Sequence, residues 1–117
     1  MDKLNYFTVR QNVIGKTSNL LGTPLRAAIL EAIAIDKSCF DNEFLLKHQV
    51  SLNILKKNVR ALNKGGLIIR YAVGRNKANI YKINWERLKE FKVLFDELYY
   101  DIRVYQDKDI TLGIKRR

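Results

Sequence analysis

The sequence predicts a mainly α-helical fold carrying one small β-hairpin, and three observations predict it. Helix-capping residues stand just ahead of apolar residues spaced by three and four, at Thr23-Pro24, at Ser51 and at Asn84. A side-chain oxygen at such a position accepts from the free N–H groups of the first turn, and proline at the first helical position forfeits no hydrogen bond. Two stretches rich in β-branched and aromatic residues, 67–73 and 79–83, flank Gly74-Arg75-Asn76-Lys77-Ala78, a turn-forming tip. Finally, 117 residues with 47% hydrophobic and 29% charged content are globular values that suit a single domain with one core.

The N-terminal residues are the hardest to read. Tyr6, Phe7, Val9, Val13 and Ile14 fit neither the helical nor the strand period, so residues 1–12 are predicted as an extension. A short helix is expected only from about residue 13, interrupted at Gly22. A core helix follows from Pro24 to about residue 35, with Leu25, Ile29 and Ile33 on one stripe and the small Ala28 and Ala32 admitting a close neighbour. After a polar loop, Asp41 or Asn42 caps a short helix over 43–48 whose apolar contacts are Phe44 and Leu45. Gln49, Val50 and Ser51 lead tightly into the next helix, about 51–64. There Leu55, Val59 and Leu62 form a buried stripe, while Asn53, Lys56, Lys57 and Arg60 share another face. Gly65 or Gly66 supplies the left-handed residue that ends it.

The last helix is predicted over 85–105, capped by Asn84. Trp85, Leu88, Phe91, Phe95, Leu98, Ile102 and Tyr105 alternate by three and four, which is the seam spacing of paired helices. Its acids and bases nearly balance, and Trp85, Leu88, Phe91, Phe95, Leu98 and Ile102 are expected to zip two copies into a homodimer; the alternative is a helix packed only on its own core. Residues 106–117 form a polar tail ending in Lys115, Arg116 and Arg117, compatible with a disordered basic arm.

Charge is distributed unevenly. The net charge is +10, and between Phe44 and Trp85 there is no Asp or Glu, whereas Lys47, Lys56, Lys57, Arg60, Lys64, Arg70, Arg75, Lys77 and Lys82 are cationic. A one-sided positive field attracts a polyanion, most often nucleic acid; the plainer alternative is a solvated basic surface. Two short helices joined by a few residues, the second cationic, make a helix-turn-helix, and a basic hairpin tip beside it makes a wing.

The combination resembles the winged helix-turn-helix regulators of bacteria and archaea over about residues 13–104. It is closest to their arsenical-resistance-repressor-like branch, with the multiple-antibiotic-resistance-repressor-like branch behind. Thr23-Pro-Leu-Arg-Ala-Ala-Ile-Leu-Glu-Ala-Ile33 is similar to the opening core helix of that branch. Val50-Ser-Leu-Asn-Ile-Leu-Lys-Lys-Asn-Val-Arg-Ala-Leu-Asn-Lys-Gly-Gly-Leu-Ile68 is similar to its recognition helix running into the first wing strand, and Asn79-Ile-Tyr-Lys-Ile-Asn84 to the returning strand. The resemblance implies a repressor of transcription acting as a DNA-bound homodimer. Metal-sensing members use clustered thiols, or histidines and carboxylates on the terminal helix. Here a lone Cys39 and a lone His48 fall short of the three or four ligands a tight zinc site needs, so no metal and no cofactor is expected.

On this reading Leu52, Asn53, Lys56 and Lys57 face base edges, where Asn suits adenine and Lys suits guanine. Ser51, Arg60, Lys64, Arg70, Arg75, Asn76 and Lys77 hold phosphates or form the wing, Arg75 being able to enter a narrow minor groove. The remaining readings are an architectural, replication or partition DNA-binding protein, and a winged helix reused as a protein-interaction module. Catalysis is not expected: no glycine-rich phosphate loop precedes a helix, and no nucleophile stands at motif spacing from a base. With no run of about 18 apolar residues, a soluble cytoplasmic protein without membrane contact is expected.

Overall fold

The structure, a computed structural model, describes residues 3–36, 41–71, 80–111 and 113. It is mainly helical with a small two-stranded antiparallel sheet: α1 (Lys3–Leu20), α2 (Pro24–Asp36), α3 (Asn42–His48), α4 (Leu52–Lys64), β1 (Ile68–Tyr71), β2 (Ile80–Ile83) and α5 (Trp85–Thr111). Each short-range signal acts locally as its chemistry dictates. Thr23 Oγ1 accepts from Arg26 N at the head of α2, Asp41 from Phe44 N at α3, Ser51 from Ile54 N at α4 and Asn84 from Arg87 N at α5. Between α3 and α4 the chain turns at Gln49 with φ 52°, while Val50 N–H donates back to Leu45 O at 3.1 Å. Of the two glycines after α4, Gly66 takes the left-handed conformation at φ 81°, whereas Gly65 stays right-handed.

The core lies where α2, α4 and the sheet meet. Ile29 and Ile33 of α2, Leu55, Val59 and Leu62 of α4, Leu67, Ile68 and Tyr81 are all buried, and Leu88 of α5 packs against their rim. β1 and β2 pair with Ile68 opposite Ile83 and Arg70 opposite Tyr81. Asn84 fastens the sheet to α5: its N–H donates to Leu67 O and its side-chain amide to Gly66 O.

Two expectations are corrected. Residues 3–12 are not an extension, because α1 runs unbroken from Lys3 to Leu20 and packs along α5. Its period is hidden because, among the described residues, the side chains it buries fully are polar: Arg10 and Thr17, seven residues apart on one face, are 7% and 0% exposed. At the other end α5 continues to Thr111 instead of stopping near 105. Polar residues such as Gln106 and Lys108 extend a helix readily, and the next left-handed residue among those described is Gly113 at φ 75°.

The result is elongated. Its radius of gyration is 19.0 Å with extents of 64 × 36 × 21 Å, against about 13 Å for a compact domain of this length. No helix among the described residues is long and apolar enough to cross a membrane.

Candidate nucleic-acid interface

The candidate site begins with α4, whose two faces have opposite characters. Leu55, Val59 and Leu62 are 0%, 3% and 0% exposed. Asn53, Lys56, Lys57, Arg60 and Lys64 are all exposed, and at roughly 100° per residue they fall within about a third of the helix circumference. Ser51 spends its hydroxyl on capping and leaves the first turn of α4 facing outward. Leu52 and Ile54 add exposed apolar surface beside Asn53 at 41% and 50% exposure.

The orientation of α4 is held by a guanidinium that sequence reasoning did not single out. Arg26 Nε donates to Asn58 Oδ1 at 2.9 Å while its Nη1 donates to Leu20 O at 3.1 Å, and Asn58 Nδ2 donates to Ile54 O at 2.8 Å. One side chain therefore links the C-terminal end of α1, the start of α2 and the middle of α4. Its charge suits a helix C-terminus, where unpaired carbonyls point outward. Nothing local in the sequence marks this clasp, since Arg26 and Asn58 are 32 residues apart. Gly65 completes the seat of α4: a Cβ there would lie 2.4 Å from Leu20 Cδ1.

The sheet extends the cationic surface past α4. Arg70 is exposed on β1, and Lys82 on β2 is exposed with its Nζ 5.2 Å from the Tyr71 ring centre. Arg75, Asn76 and Lys77, with the rest of 72–79, lie outside the described residues, as do Cys39 and the basic end at 114–117. His48 stacks on Phe44 at 4.4 Å between ring centres, a packing contact. Among the described residues no group of three or more His, Cys, Asp or Glu side chains could hold a metal ion.

The predicted pairing residues of α5 divide. Leu88 is used by its own core, and Phe91 and Leu98 are half-buried. Trp85, Phe95 and Ile102 are 69%, 47% and 54% exposed, with Phe91 and Phe95 stacked at 5.9 Å. Helical geometry puts Phe91, Phe95, Leu98 and Ile102 on one stripe, with Glu97 and Asp101, which face α1, about 130° and 90° away from it. Trp85 lies roughly a quarter turn off that stripe. Compared with protein-family models, with curated proteins and with solved structures, the chain has no match.

Proposed function

We propose that this chain is a sequence-specific double-stranded DNA-binding transcription regulator of the winged helix-turn-helix kind, working as a homodimer. The observation that carries the reading is the outer face of α4: five adjacent amide or cationic side chains are exposed directly opposite a stripe that is 0–3% exposed. No carboxylate occurs from Phe44 to Trp85 to oppose a phosphate backbone. In this arrangement α4 enters the major groove, the only groove wide enough for a helix, with Asn53, Lys56 and Lys57 toward base edges. Arg60, Lys64, Arg70 and the segment carrying Arg75, Asn76 and Lys77 follow the flanking backbone or minor groove. The exposed aromatic surface of α5 favours a second reading, a protein-contact module, which predicts no binding to duplex DNA.

Selection of bound genomic fragments followed by binding titrations tests the proposal. A preferred duplex is expected, with log affinity falling against log salt by about 0.9 for each neutralised phosphate. Asn53→Ala and Lys57→Ala are expected to relax the sequence preference, each lost base contact being worth about 1–3 kcal/mol. Arg60→Ala is expected to weaken all sequences alike and flatten the salt slope by about one unit. Affinity for duplex DNA that is absent, or indifferent to salt, would defeat the proposal.

A further inference from the structure

Between α1 and α5, on the side of α5 away from Phe95 and Ile102, lies an open cleft of about 680 Å³. That is within the range of roughly 300–1,000 Å³ typical of small-molecule sites. Its walls are aromatic: Tyr6 and Phe7 on α1, Tyr100 and Tyr105 on α5. Its polar groups are Arg10 on α1 and Asp96, Glu97 and Asp101 on α5.

The charges in the cleft do not balance evenly. Asp101 is taken by Arg10 at 2.9 Å, and Asp96 by Lys92 at 2.9 Å across an exposed turn of α5. An exposed pair of that kind is weak and readily exchanged. Glu97 accepts only from the neutral Tyr6 hydroxyl among its described contacts, so its charge has no cationic partner there. That bond, followed by desolvation, raises the Tyr6 pKa above the ordinary tyrosine value and keeps it a donor at neutral pH. The rings already hold cations: the Arg10 guanidinium lies 4.9 Å from the Phe7 ring centre and 6.0 Å from that of Tyr6, and Lys108 Nζ lies 5.6 Å from that of Tyr105. Among the described residues Arg10 Nε, in a side chain only 9% exposed, is a donor with no acceptor, and it is closed off from the cleft's solvent, so the guanidinium is held by Asp101 alone. Buried donors are rarely left in this condition.

We infer that this cleft is a binding site for an aromatic organic cation, and that its occupancy is transmitted to α4 through α1. The cation lies against Glu97 and Asp96, where ring faces and carboxylates both attract positive charge. The aromatic body lies between the tyrosines and Phe7. A second copy is a poorer occupant, since of the α5 residues lining the cleft Asp96, Glu97 and Tyr100 lie about 130° or more from the apolar stripe suited to it, and only Tyr105 borders that stripe. Transmission has a physical route, because the far end of α1 is the end held by Arg26 and packed on Gly65, the two seats of α4. The transmission half rests on the DNA-binding proposal; the binding half does not.

Rhodamine 6G and fluorescein share one aromatic body but carry opposite charges, and fluorescence anisotropy with the full chain, free of DNA, separates them. Saturable binding of one rhodamine per chain is expected, with fluorescein at least about tenfold weaker, the effect of exchanging one attractive charge contact for a repulsive one. Glu97→Gln is expected to weaken rhodamine by about tenfold. Asp96→Asn, on an exposed side chain that folding does not need, is expected to weaken it by a smaller factor. Equal binding of the two dyes, or binding untouched by both variants, would overturn the site. Binding that disappears when the chain self-associates would assign the cleft to a second copy and overturn it as well. Rhodamine binding without any change in duplex affinity would remove the transmission and leave the site. Failure of duplex binding altogether counts against the DNA-binding proposal and leaves the dye result to stand by itself.

Discussion

Thr17 carries a disagreement between burial and chemistry. It is fully buried on α1, and its hydroxyl has no hydrogen-bond partner among the described residues. A buried hydroxyl without a partner has lost its water and gained nothing for it. Thr17→Val keeps the shape and removes that deficit, so thermal or denaturant unfolding is expected to show a gain of about 1 kcal/mol. Thr17→Ser keeps the hydroxyl and loses a methyl, and is expected to cost about 1 kcal/mol. A Val variant no more stable than the parent would mean that the hydroxyl has a partner. Residues of this kind also account for what could not be read in advance. Leu55, Val59 and Leu62 were legible as core because their burial follows helical period. Arg10 and Thr17 were not, because polar side chains at buried positions erase the period by which a helix is recognised. Their partners are distant as well: Arg10 and Asp101 are 91 residues apart, and only the folded chain brings them together.

At the scale of elements, caps and glycines were read correctly wherever the physics is local. The heads of α2, α3, α4 and α5 all follow side-chain capping that spans three residues of sequence. What could not be read was which glycine does which job. Gly66 is needed for its left-handed backbone, but Gly65 is needed for space, and space depends on Leu20, a residue of another helix. Gly65→Ala therefore forces a methyl to within 2.4–3.0 Å of three Leu20 side-chain carbons. The half-buried Leu20 side chain must shift to admit it, which costs about 1 kcal/mol, the low end of the range for overpacking. In combination with Leu20→Ala the added methyl has room, and a double-mutant cycle is expected to show a coupling of about 1 kcal/mol. Additive effects would show that α1 and α4 do not press on each other here. They would also weaken the route by which the α1–α5 cleft reaches α4.

For the whole molecule, the decisive quantity is the mismatch between length and core. A radius of gyration of 19.0 Å, where about 13 Å would be compact, means that much of α5 projects beyond the core instead of covering it. At 27 residues, α5 is about 40 Å long. Among the described apolar residues of α5 only Leu88 joins the core cluster, while Phe95, Tyr99 and Ile102 stay 47–56% exposed. Exposed apolar side chains clustered in this way mark an interaction surface. Its seam spacing and near-balanced charge suit a second copy of the same helix, which is the homodimer proposed above. Sedimentation of the full chain is expected to give a dimer at micromolar concentration. Phe95→Glu combined with Ile102→Glu removes roughly 3–6 kcal/mol of apolar burial at such an interface and adds two charges there. Dissociation is then expected to strengthen by more than about a hundredfold, giving a folded monomer, as judged by its circular dichroism. Because neither residue lies on α4, a single α4 surface remains intact in that monomer. Its affinity for one half-site should be unchanged, while affinity for a paired site should fall by about a hundredfold or more as the second contact ceases to be intramolecular. Equal losses on half and paired sites would place Phe95 and Ile102 in the support of α4, and a parent chain that sediments as a monomer would remove the dimer.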